Sequence, residues 1–152
     1  MAAAAAESEA RYPVVTNAPL LYALKRVELA VRAHLDELLR RSGITALQYT
    51  ALTVLELHDG LPAAQLARRS FVTAQSVSDM VRALEQRGLI VREPNPQSRR
   101  ELLIRLTDAG RRVLAEHADD VQALERRMVG GLTDRQIQQF RAALSKAWHA
   151  LS

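Results

Sequence analysis

Eight arginines, at positions 68, 69, 82, 87, 92, 99, 100 and 105, fall between Pro62 and Thr107, against four acids, Asp79, Glu85, Glu93 and Glu101. Eight minus four is the whole net charge of +4, because the remaining 13 basic and 13 acidic residues balance. An arginine keeps its charge at physiological pH and offers five donors in a planar fork, so a segregated set of them suits a polyanion such as nucleic acid. Interleaved with them are Thr73, Gln75, Ser76 and Ser78, uncharged side chains that can hydrogen-bond. The chemistry on offer is recognition. Groups for bond-making do not assemble: His34, His58, His117 and His149 have no ligand partner at metal-binding spacing, no glycine-rich phosphate loop is present, and no serine sits in a nucleophile elbow. The absence of cysteine removes disulfides, thiolate metal sites and thiol redox sensing together. No catalytic residue, cofactor or metal is expected.

The recognition groups need elements to hold them. At 100° per residue, Val77, Met80, Val81 and Leu84 share one side of a helix, while Gln75, Asp79, Arg82 and Gln86 share the other. Thr73 is a natural N-cap and Gly88 a C′ glycine, which gives a helix of about four turns. Beyond Gly88 the pattern becomes extended. Residues 89–93, then a stretch with Pro94 and Pro96, then residues 99–107 predict a hairpin with a long loop. Upstream, Pro62 fits the first turn of a short helix to about Ser70, with Leu66 and Ala67 packing. Two helices joined so tightly, the second amphipathic, predict a helix-turn-helix, and the hairpin behind it is a wing.

The rest of the chain supplies long helices. Its 152 residues and 48% hydrophobic content are enough for one domain with a real core. The N-terminus lacks the pattern of a secretory signal and no apolar run approaches a membrane span, so the expectation is a soluble, cytoplasmic protein. Residues 1–16 are expected to be a flexible tail. From Asn17, Leu20, Leu24, Val27, Val31, Leu35 and Leu38 recur at helical steps until Gly43. Thr45 and Gln48 form a capping box for a second helix to about His58, apolar almost all round. Thr107 caps a helix from 108 to about 129. Thr133 and Gln136 cap the last, with Ile137, Phe140, Leu144, Trp148 and Leu151 on its stripe. A core built from residues 45–107 cannot cover both terminal helices, which predicts a homodimer, unless they cover only each other within one monomer. The expected class is mainly α: a winged helix-turn-helix over 45–110, flanked by dimerisation helices at 17–44 and 111–152.

Read together, these residues resemble the MarR family of bacterial winged-helix regulators over most of the chain. The likeness rests on six helices with a wing between the fourth and fifth, on SVSDMVRALEQRGLI as recognition helix and turn, and on RRELLIRLTDAG at the end of the wing. Family members typically show Asp-x-Arg in the wing, then Leu-x-Leu-Thr-x-x-Gly. Ile104, Leu106, Thr107 and Gly110 keep the second pattern, with Ile104 in place of the first leucine, and Arg100 matches the arginine. Ser98 stands where relatives carry the aspartate that helps hold that arginine, leaving a looser wing or one braced by Glu101 instead. Asp79, on the outer face, is the second departure. It can accept from a cytosine amino group or pair with Arg82, and the pair is the expected role.

The resemblance implies a dimer with both recognition helices in successive major grooves of a pseudo-palindromic operator and the wings in flanking minor grooves. Thr73, Gln75, Ser76, Ser78 and Asp79 are then candidates for base edges, Arg68, Arg69 and Arg82 for phosphates, and Arg99 and Arg100 for the minor groove. It also implies a repressor released by a small phenolic or aromatic effector. Tyr22, His34, Tyr49 and His58 on the first two helices are the polar-tipped side chains for such a pocket, or else ordinary core and boundary residues. A winged helix used as an adaptor, with weak sequence-blind DNA binding, is the rival expectation.

Overall fold

A computed structural model describes residues 17–70 and 72–152, and the expected tail at 1–16 lies outside them. Among these residues there are six α-helices and one small sheet: α1 (Leu20–Leu39), α2 (Ala46–Leu57), β1 (Leu61–Pro62), α3 (Ala63–Arg69), α4 (Ala74–Gln86), β2 (Ile90–Asn95), β3 (Ser98–Leu106), α5 (Asp108–Met128) and α6 (Asp134–Leu151). The chain divides between Ala33 and His34 into two compact units.

Helix starts follow the capping chemistry read from the sequence. Thr45 and Thr133 both complete capping boxes, with Gln48 and Gln136 reaching back to the cap backbone. Thr73 and Thr107 cap α4 and α5 through their hydroxyls. At the other end of α4, Arg87 is the C-cap and Gly88, at φ 70°, turns the chain into β2.

The core gathers one side of each element. Ala51, Leu52 and Leu55 of α2, Leu66 and Ala67 of α3, and Val77, Met80, Val81 and Leu84 of α4 pack with Ile90, Ile104, Leu106 and Leu114. Each fully buried leucine, such as Leu52 or Leu84, contributes about 1.5–3 kcal/mol by leaving water. The amphipathic face expected of α4 is the one observed. Leu57, in the last turn of α2, is 73% exposed, so the apolar surface of that helix is not all taken into the core.

Two expectations about the sheet need correction. Pro62 does not begin a helix: it pairs as part of β1, opposite Leu103, and serves as the N-cap of α3. The hairpin loop is also short, because β2 runs through Pro94 to Asn95 and β3 starts at Ser98, with a register shift between Pro94 and Asn95. The strand order is β1-β3-β2, so β2 is an edge strand, and a proline there removes no ladder bond.

In the first unit, α1 exposes Leu20, Leu21, Tyr22, Leu24, Val27 and Leu29. Its surface also carries the pairs Lys25–Glu28 and Arg32–Glu28, which lower the Glu28 carboxyl below its ordinary value, hydrogen bonding from Lys25 being the largest cause. In the second unit, α6 exposes Phe140, Leu144, Trp148 and Leu151 along its stripe. No described helix is long and apolar enough to cross a membrane.

Candidate nucleic-acid interface

The outer face of α4 is built by its own cap and period. The Thr73 hydroxyl accepts from the Ser76 amide at 3.2 Å and donates to the Ser76 Oγ at 3.0 Å, so both side chains are oriented by the helix start. Gln75, Ser78, Asp79 and Arg82 are exposed along with them. The positive end of the helix dipole lies at this same turn, which favours an approaching phosphate. Asp79 does lie beside Arg82, at 3.8 Å, but both are largely exposed, so the pair is weak and easily exchanged.

At the wing tip, Asn95 organises the turn. Its Oδ1 accepts from the Gln97 amide at 2.9 Å and its Nδ2 donates to the Glu101 carboxylate at 3.0 Å. Glu101 therefore braces the hairpin through Asn95 and not through Arg100. Arg99 and Arg100 are exposed and make no ion pair among the described residues, so the acid that the family places near this arginine has no substitute here. Arg100 and Arg82 line one cleft of about 510 Å³ with Ser78, Arg92 and Leu102, running between α4 and the wing.

The base of the wing is organised differently. Arg92 donates twice to Glu85 of α4, at 2.6 and 3.1 Å, which raises the guanidinium's pKa and lowers that of the Glu85 carboxyl. Arg105 donates to Asp59 and to Glu93, each at 2.7 Å, and the Asp59 bond is the larger cause of its raised pKa. Arg87 donates to the carbonyls of Ser42 and Gly43, at 2.5 and 3.0 Å. Three of the eight arginines are thus braces that sequence reading counted only as positive charge. Their partners at 42, 43 and 59 lie more than forty residues away in the chain, and no local period signals such pairs.

Arg68 and Arg69 sit in the last turn of α3, where cations also favour the helix dipole. They line a separate opening with Gln65 and Trp148, and Arg69 donates to His58 Nε2 at 3.3 Å. The structure thus brings Ser78, Arg82 and Arg100 together and leaves Arg68 and Arg69 around another opening.

The Leu-Thr-x-x-Gly motif has a geometric reason. The Thr107 hydroxyl accepts from the Gly110 amide and donates to the Gly88 carbonyl at 2.7 Å, joining the start of α5 to the end of α4. A Cβ at Gly110 would lie 2.3 Å from the Leu89 carbonyl oxygen, so only glycine allows this approach.

The candidate effector residues are scattered. Tyr22 is exposed, with Arg26 5.8 Å from its ring centre. His34 accepts from Arg127 at 3.0 Å and lines a crevice with Glu37, Asp120 and Leu124 that includes neither Tyr49 nor His58. Tyr49 packs against the core, and burial, with Glu56 adding a smaller push, raises its phenol above 10.0. His58 caps the end of α2 beside Arg69. Sequence reading missed His117, fully buried on α5, whose Nε2 lies 2.5 Å from the Ser42 hydroxyl.

Comparison with known proteins bears on the family and the fold. The sequence model of the MarR family matches residues 42–101. An HTH-type transcriptional repressor of Mycobacterium tuberculosis is 35% identical over 131 residues, covering 86% of this chain and 94% of the relative. The crystal structure of Staphylococcus aureus MepR in DNA-binding conformation superposes with a TM-score of 0.80 at 26% identity, covering 89% of this chain and all of that one. The MepR–DNA complex gives 0.77 at 25% identity, over 88% of this chain and 99% of that one.

Proposed function

The chain belongs to the MarR family, and from that membership we propose that it is a dimeric, sequence-specific DNA-binding repressor that reads its operator with the outer face of α4 and the tip of the wing. One observation carries this assignment. The segment holding all of the net charge leaves Arg99 and Arg100 at the tip exposed and, among the described residues, without an ion pair, and Arg100 lines a cleft with the exposed Ser78 and Arg82 of α4. A structural surface has no need to keep cations free of acids there, whereas a phosphate backbone and a narrow minor groove do.

Thr73, Gln75, Ser76, Ser78 and Asp79 are assigned to base edges. Arg82 is assigned to a phosphate crossing the cleft between α4 and the wing, Arg68 and Arg69 to flanking phosphates, and Arg99 and Arg100 to the minor groove. The exposed stripes of α1 and α6 are assigned to a second copy of the chain, since large apolar side chains left in water on both favour self-association. Release by a small aromatic effector is part of the same proposal, with Tyr49 the most enclosed of the four candidate side chains.

Selection of bound duplexes from a random pool, followed by titration of the winner at rising salt, tests the assignment. A palindromic preference with half-sites about one helical turn, roughly 34 Å, apart and a steep loss of affinity with salt is the expected outcome. Weak binding without preference for any duplex would instead indicate an adaptor.

A further inference from the structure

We propose that Arg105 is a positioning residue for DNA reading: by tying Asp59 to Glu93 it fixes the angle of the wing, and so the point at which Arg100 enters the groove. The proposal rests on the assignment of the wing tip to DNA. A two-stranded ribbon projecting from a small sheet is held at its root by ladder bonds alone, and these leave it free to twist and bend. Here the ribbon is braced on both faces. Arg92 lies opposite Ile104, whose side chain is buried, and so shares the inward face, where it pairs with Glu85 of α4. Arg105 lies opposite Val91, one residue on, and so shares the outward face with Glu93.

The outward brace also reaches beyond the ribbon. Asp59 belongs to the connection between α2 and β1, so one planar guanidinium joins the edge strand of the wing to the end of a core helix, 46 residues away in sequence. Gly60 makes room for it. A Cβ there would stand 3.0 Å from Arg105 Cζ, and the backbone φ of 73° is one that other residues adopt with strain. Arg105 itself is one-third exposed and its partners more so, so its bonds add little to global stability. Their use is geometric. Arg100 lies five residues along the same strand, where a small change of angle at the root becomes a displacement at the tip.

A double-mutant cycle on the full-length protein tests this, with the duplex selected by the wild type as probe. In the wild-type background Arg100→Ala is expected to weaken binding about tenfold per half-site. In an Arg105→Gln background the same change is expected to cost less than about threefold, because the arginine no longer meets its groove. Preference among duplexes varied in the wing-facing flanks should flatten, while preference at positions facing α4 is retained. Should Arg105→Gln lower the melting temperature, Asp59→Asn, at a side chain 65% exposed, carries the same cycle. An Arg100→Ala penalty that is undiminished in both backgrounds overturns the positioning role. An Arg100→Ala penalty that is absent in the wild type overturns the assignment of the wing tip itself, and the positioning role with it.

Discussion

The tip and the root of the wing carry the same residue type in opposite states. At the tip, Arg99 and Arg100 are exposed and make no ion pair among the described residues, while the neighbouring Glu101 carboxylate accepts from Asn95. At the root, Arg92 and Arg105 are each held by carboxylates at 2.6 to 2.7 Å. A count of charge treats the four alike. The structure separates exposed cations without an ion pair from cations already held by carboxylates.

The contrast can be broken most severely at the root. Gly110→Ala would drive a methyl group into the Leu89 carbonyl and the Leu106 side chain, at a cost of about 3 kcal/mol or more, read as a large fall in the denaturation midpoint. At the tip, Arg100→Ala is expected to cost about 1–3 kcal/mol of DNA binding per half-site and to lower the salt slope by about one, with unchanged thermal stability. An unaltered slope would mean the tip does not touch DNA. Gly60→Ala, pressing on the Arg105 guanidinium from a positive φ, is expected to cost roughly 1 kcal/mol of stability by thermal melting.

Acid sharpens the comparison further. Arg92 holds the Glu85 carboxyl below its ordinary 4.5, so the pair stabilises the folded state fully above that pH and loses its effect as the pH falls through the lowered value. Melting curves of the wild type and Glu85→Gln, run from about pH 7 to pH 3, should therefore converge only in the acid range. The smallest effect belongs to the outer face of α4. Asp79→Asn is expected to change stability by less than about 0.5 kcal/mol, because its 3.8 Å pair with Arg82 is solvent-screened. Any change should be confined to base preference in a selection experiment.

Much of this architecture is legible in the order of residues. Caps at Thr45, Thr73, Thr107 and Thr133, the apolar face of α4 and the glycine after it are local signals, each complete within a few residues, and each appears where the pattern places it. The errors arise where a residue's role depends on a distant neighbour. Pro62 reads as a helix start until Leu103 pairs with it, and Pro94 reads as part of a loop until its strand proves to be an edge. At Ser98 the missing carboxylate suggested bracing by Glu101, and Glu101 does brace the hairpin, through Asn95 six residues before it.

The sequence by itself determined the winged-helix class, the concentration of positive charge and the exposed polar face of α4, because periodicity, capping and composition act over short spans of chain. Only the tertiary structure decided which arginines are held in ion pairs. That choice depends on whether a carboxylate from another element arrives within hydrogen-bonding distance, and Asp59, 46 residues from Arg105, is brought there by the packing of α2 in the core and the pairing of β1 with β3.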